Sequence, residues 1–279
     1  MQFTKWHGQG NDFVIVNGFQ EKIEDYAQAA VKICDRHFGI GADGLVIVGP
    51  SETADFRMRI FNSDGSEAEM CGNVTRCVAR YVYKYGLTDK TKITLETLAG
   101  PIKPELVFEN GVFRTVRVDM GEPRLKRAQI PMIGEPDVEA INVPLVVNDR
   151  TYNITCVSMG NPHCVIFVDD VEEIDLPAIG PLIENHPIFP RKTNVEFVQV
   201  LNDREMRMRV WERGAGITLA CGTGASATLV AAVLNGKAGR MATIHLDGGD
   251  LVVEWGNDNH VYMSGPAVEV FRGEYLLSL

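Results

Sequence analysis

Apolar and polar positions along this chain change over in short runs separated by glycine- and asparagine-bearing turns, a pattern that predicts many strands and few helices. Residues 57–61 alternate charged and apolar side chains at period two and predict a strand, with a turn at 63–66. Residues 72–85 then read as a helix stopped by Gly86. Residues 222–235 read as a second such helix stopped by Gly236, apolar or small nearly all round, as expected of a helix buried inside its own domain. Strands are expected at 93–98, 112–118, 242–246 and 251–255, helical structure at 26–37, and a connection at 121–136, where prolines and glycines gather.

The pattern occurs twice. Arg57-Met-Arg-Ile-Phe61 returns 150 positions later as Arg207-Met-Arg-Val-Trp211, and the same offset pairs Cys71-Gly72 with Cys221-Gly222. Residues 57–72 share five identities in sixteen with 207–222, where composition alone would give about one. Gly86 matches Gly236 and Asn11 matches Asn161. The fold expected is therefore α/β (α+β), made of two duplicated halves, each a mostly β unit enclosing one helix.

Composition narrows the function. A chain of 279 residues with 45% apolar and 23% charged residues is ordinary for a globular protein of two domains. The net charge of −10 and the lack of a basic block argue against nucleic acid. No run approaches the roughly 20 apolar residues of a membrane span, and residues 1–16 carry Lys5, His7 and Asp12 where a signal peptide would be apolar. A cytoplasmic protein with no membrane partner is the expectation. The six cysteines are then expected as thiols, with Cys34, Cys77, Cys156 and Cys164 as packing residues.

Cys71 and Cys221 are different. Each stands at the start of a predicted helix, where unpaired backbone N–H groups and the positive end of the helix dipole favour thiolate, so a lowered thiol pKa is expected. Gly72 and Gly222 remove a side chain behind each sulfur, and the N–H groups of Gly72, Asn73, Gly222 and Thr223 suit a carboxylate. A lone cysteine before a glycine is more often a packing residue. Two at equivalent positions of a repeat suggest an acid and a base on opposite faces of one carbon, with N–H dipoles stabilising the charge that develops. The loops bearing Asn11 and Asn161, with His163, are in register across the repeat, and the Glu212-Arg213 pair suits a zwitterion. Gly39-Ile-Gly41-Ala-Asp-Gly44 fits G-x-G-x-x-G but follows a helical segment rather than a strand, so no dinucleotide site is expected. No metal-ligand motif is present in the sequence.

His7-Gly-Gln-Gly-Asn-Asp-Phe13, Asn62-Ser-Asp-Gly-Ser66, Met70-Cys-Gly-Asn73, Gly160-Asn-Pro-His163, Glu212-Arg-Gly-Ala-Gly216 and Ala220-Cys-Gly-Thr-Gly224 together resemble the signature of the diaminopimelate epimerase family, and the likeness runs the length of the chain. The resemblance implies two halves, each a β-barrel-like sheet around a central helix, with the tail returning to the first: residues 1–118 with 267–279, and 119–266. It also implies a homodimer that converts LL- to meso-diaminopimelate for lysine and cell-wall synthesis with no cofactor, neither pyridoxal phosphate nor metal. Cys71 and Cys221 would be the acid/base pair, and Gly72, Asn73, Gly222 and Thr223 would bind the reacting carboxylate. Asn11, Asn62, Asn161, Asn194 and Arg213 would hold the amino groups and far carboxylate, with His163 and Glu212 tuning the cysteines or meeting the substrate's amino group. Gly44, Val74-Thr75 and Ile217 depart from the family pattern near the expected pocket. A racemase of another amino acid, of histidine or proline type, and a non-catalytic amino-acid-binding protein are the alternatives.

Overall fold

The computed structural model describes residues 1–276, so the tail positions 277–279 assigned above to the first half lie outside the described residues. The chain divides into two compact units, residues 1–118 with the segment from Ser264 onward, and residues 119–263. The chain re-enters the first unit at Ser264, ahead of residue 267.

The first unit is built from β1 (Gln2–Gly8), β2 (Asn11–Asn17), α1 (Tyr26–Cys34), β3 (Gly44–Gly49), β4 (Phe56–Asn62), β5 (Glu67–Ala68), α2 (Gly72–Lys84), β6 (Leu95–Thr97), β7 (Gly100–Ile102), β8 (Pro104–Glu109) and β9 (Val112–Asp119). The second holds β10 (Val143–Val147), β11 (Arg150–Ser158), β12 (Pro162–Val168), α3 (Leu176–Glu184), β13 (Asn194–Asn202), β14 (Glu205–Glu212), β15 (Gly216–Ile217), α4 (Gly222–Leu234), β16 (Met241–Leu246), β17 (Gly249–Trp255) and β18 (Val261–Gly265). Strand β19 (Val268–Glu274) pairs with β1 in the first unit.

The duplication holds at the level of pairing. In the first unit β1 and β2 are antiparallel, β2 and β3 parallel, β3 and β4 antiparallel, β4 and β6 parallel. In the second the same order runs through β11, β12, β13, β14 and β16. A parallel step needs a crossover, and α1 and α3 supply the first of them in each unit. Helices α2 and α4 end alike: Gly86 and Gly236 both take φ +67°, and Leu87 N and Lys237 N reach back to Val82 O and Ala232 O. That closing turn needs a left-handed residue, which is why glycine stands at both positions.

Helix α4 is buried from Gly224 through Ala232 and packs on β11, β12, β13, β14, β16 and β17, as its apolar circumference predicts. Helix α2 packs on β1, β2 and β8. A core of Val14, Ile33, Leu45 and Phe61 lies under α1 in the first unit. Its counterpart in the second includes Ile154, Ile166, Leu176 and Phe197. The stretch expected as a connection is not a bare linker. Ile130 and Met132 are buried in the second core, because the segment folds through a short 3-10 turn at Arg127–Gln129 and pairs Arg124 with Ser158.

Candidate active site

In the first unit Cys71 is the N-cap of α2 in extended backbone, with no side-chain cap bond. Intrahelical bonding begins with Thr75 N donating to Cys71 O (2.9 Å), so the first-turn N–H groups of Gly72 and Asn73 point out of the helix end. Around the sulfur, Asn73 Nδ2 donates to Asn11 Oδ1 (3.1 Å), which lies 3.7 Å from Cys71 Sγ. Asn11 Nδ2 donates to Asp43 Oδ2 (2.7 Å). Asn62 is exposed at the end of β4 and donates to Ser66 Oγ (3.0 Å).

In the second unit Cys221 is the N-cap of α4, and its sulfur accepts from Gly224 N (3.3 Å) with Thr223 Oγ1 at 3.5 Å. The Asn11–Asn73 pair has its repeat in Asn161, whose Nδ2 donates to Thr223 Oγ1 (3.2 Å). Glu212 stands at the end of β14, accepts from Thr218 Oγ1, and is held above the usual carboxylate range, chiefly by burial. The expectation of a lowered thiol pKa fails for Cys221. Burial pushes its thiol well up, and the nearby carboxyls of Glu212 and Glu196 add to the rise, outweighing Thr223 and the Gly224 N–H. Desolvation of a thiolate in a nearly closed site costs more than one helix terminus returns.

Several expected substrate contacts are engaged within the protein. His163 is fully buried, with Nδ1 at 2.6 Å from Glu196 Oε1 and Nε2 at 3.0 Å from Asn161 Oδ1, so both ring nitrogens have partners within the protein. Asn194 is buried too, donating to Pro162 O (2.7 Å) and accepting from Arg213 N (2.9 Å). Arg213 itself is exposed. A Cβ at Gly222 would meet Met263 Sδ at 2.8 Å, the movable end of a flexible side chain. Of the departures from the family pattern, Val74 and Thr75 are buried in α2, and a Cβ at Gly44 would meet Phe61 O at 2.9 Å.

Two ionisable groups that sequence reasoning passed over stand near these sulfurs. Glu196 is fully buried on β13 and its Oε2 has no hydrogen-bond partner. Arg76 is fully buried on α2. Each interrupts an apolar pattern, Glu196 between Val195 and Phe197 and Arg76 ahead of Cys77-Val78-Ala79, and that interruption was the available signal.

Among the described residues no cluster of His, Cys, Asp or Glu is arranged to hold a metal ion, and no helix is long and apolar enough to cross a membrane. The arrangement in each unit is a thiol at a helix N-terminus, a polarised amide beside it and open backbone donors for an anion.

The structure is similar to the phenazine biosynthesis protein of the PhzF family from Bacillus anthracis, with a TM-score of 0.73, 19% identity and 99% of each chain covered. A probable proline racemase from Agrobacterium radiobacter matches at a TM-score of 0.68 and 18% identity, covering 99% of this chain and 93% of that one. These likenesses speak to the fold alone. In sequence, the chain is 61% identical over 277 residues to a diaminopimelate epimerase from Pelotomaculum thermopropionicum, covering 99% of both. It is 59% identical over 279 residues to one from Moorella thermoacetica, covering 99% of this chain and 100% of the other. The profile of the family described as diaminopimelate epimerase matches residues 3–126 and 155–270. Both cysteine-capped helices fall inside those matched segments, and with relatives this similar along nearly the whole length, the chain belongs to the diaminopimelate epimerase family.

Proposed function

We propose that this chain interconverts LL- and meso-2,6-diaminopimelate, a step in supplying lysine and peptidoglycan precursors, with Cys71 and Cys221 as the acid/base pair and no cofactor. The observation that carries the reading is the duplicated cysteine cap. Two thiols occupy equivalent positions of the two units, each beside N–H groups that can receive a carboxylate. One sulfur removes the α-hydrogen from one face while the other delivers a proton to the opposite face, and the roles exchange in the reverse direction. The negative charge that develops on the carboxylate is met by the N–H groups of Gly72, Asn73, Gly222 and Thr223.

Burial and the carboxyls of Glu212 and Glu196 favour the protonated thiol at Cys221, which suits it to deliver the proton when the cycle starts. Once Cys221 has given its proton, the Gly224 N–H and the Thr223 hydroxyl are already within reach of the sulfur. Glu212 and Arg213 meet the substrate's ammonium and far carboxylate, together with Asn11, Asn62 and Asn161. Asn194 acts through the Arg213 main chain, and His163 through Asn161. Action in the cytoplasm as a homodimer belongs to the same reading.

Incubating the protein in deuterium oxide with a panel of amino acids tests it. Deuterium should enter the inverted α-carbon of diaminopimelate, read by mass spectrometry after chiral separation. Turnover of histidine or proline with none of diaminopimelate would instead support a racemase of a different substrate.

A further inference from the structure

Arg76 lies on α2, one helical turn beyond Cys71, with no exposed surface. Its guanidinium donates to Pro266 O (3.1 Å), Gly72 O (3.3 Å), Gln9 Oε1 (3.0 Å) and Asn73 Oδ1 (2.7 Å). A guanidinium has donors, no acceptor, and stays charged at any pH a folded protein tolerates. Asn73 must therefore turn its oxygen to Arg76, which leaves its NH2 for Asn11 Oδ1. Asn11 in turn has its NH2 on the carboxylate of Asp43. With a donor-only group at one end of this chain and an acceptor-only group at the other, both amides have one orientation.

The equivalent position in the second unit is Ser226, equally buried, whose Oγ donates to Gly222 O (2.9 Å) as Arg76 donates to Gly72 O. The two copies share the carbonyl contact, and the first places a cation behind its cysteine where the second places a hydroxyl. Burial draws the Arg76 guanidinium below its usual range, and the Cys77 and Cys71 sulfurs pull it back up, so cation and cysteine feel each other.

We propose that Arg76 is a positioning residue for Cys71: its charge favours the thiolate there, and its fixed donors turn the Asn11 oxygen, not its NH2, to the side of Cys71 Sγ (3.7 Å), where a substrate ammonium group would meet it. Other charged and titratable groups on elements packed against α2 are paired elsewhere. Lys5 on β1 and Asp12 on β2 bond each other (2.8 Å), and His7 Nδ1 accepts from Gly10 N (3.2 Å). Glu105 and Glu109 on β8 pair with Lys92 and Arg114. Cys77 on α2 is a buried thiol pushed up to about 12, and Asp43 ends the amide chain. The part concerning the ammonium group rests on the epimerase reading, and the part concerning the sulfur does not.

Alkylation by iodoacetamide across pH, resolved by peptide so that Cys71 and Cys221 are read in one digest of the full chain, tests the sulfur. Arg76→Met should move the Cys71 midpoint up by about one pH unit or more and leave Cys221 where it was. Arg76→Lys keeps the charge and loses the fork, so the Cys71 midpoint should hold while KM for diaminopimelate rises about tenfold and kcat changes less. An unmoved Cys71 midpoint in folded Arg76→Met, or an unchanged KM in Arg76→Lys, overturns the proposal. If circular dichroism shows that Arg76→Met does not fold, the lysine variant decides alone: raised KM with an unmoved midpoint supports the proposal and wild-type KM refutes it. A wild-type chain inactive on diaminopimelate, with Cys71 still shifted in Arg76→Met, sinks the substrate reading and leaves the thiolate role standing.

Discussion

Cys221→Ala should stop stereoinversion, lowering the rate at which meso-diaminopimelate forms from the LL isomer by about 10²- to 10⁴-fold, the range over which a positioned acid or base contributes. Cys71 remains in that variant and, as the other member of the proposed pair, can still remove and return a proton on its own face. Exchange of the α-hydrogen with solvent deuterium, without inversion, should therefore fall less than inversion does. Cys71→Ala should lose both together when the reaction starts from the isomer whose hydrogen faces Cys71. Chiral chromatography coupled to mass spectrometry separates the two outcomes. Equal epimerase activity in wild type and either variant would remove the two-thiol mechanism and favour a non-catalytic binding protein on the same scaffold.

Alkali should unfold this protein through its buried thiols. Burial pushes Cys34 and Cys77 from the ordinary thiol value of 9.0 up to about 12, and raises Cys164 and Cys221 well above it. Tyr81 is pushed up to about 12 for the same reason. A raised value means the folded chain binds the proton more tightly than the unfolded chain does. The stability such a group contributes is therefore complete below its unfolded value and is lost as pH rises through the folded one. For the fully buried Cys77, the move from 9.0 to about 12 amounts to as much as about 4 kcal/mol once both values are passed, at ~1.4 kcal/mol per unit. That is a large part of the total stability of a domain. Urea denaturation at neutral pH and at about pH 11 checks it: the midpoint should fall steeply between the two. A flat midpoint would contradict the burial that favours the protonated thiol at Cys221.

Legibility differed between residues for physical reasons. The strand at 57–61, the helix at 72–85 and their copies 150 positions later were readable because period two and period 3.6 are local properties of the chain. The glycine stops at 86 and 236 were readable because a left-handed φ selects glycine whatever lies around it. For His163, by contrast, the sequence leaves open whether it tunes the cysteines or meets the substrate's amino group. Its partner Glu196 lies 33 residues away on a parallel neighbouring strand, and no local pattern announces that both ring nitrogens are taken. The prolines and glycines of 121–136 predict a connection, but the same residues also occur in chain that packs against a core, as Ile130 and Met132 do here.

The amino-acid sequence by itself determined that there are two copies of one unit, that each copy starts a helix with Cys-Gly, and that the family signature spans the chain. Those are matters of order and spacing along a backbone. Only the tertiary structure decided the charge around each sulfur: a guanidinium at Arg76 in the unit of Cys71, and the carboxyls of Glu196 and Glu212 in the unit of Cys221. A thiol's protonation depends on burial and on charges brought close in space, and strands distant in sequence bring them, so the two cysteines read alike along the chain and have different neighbours in the fold.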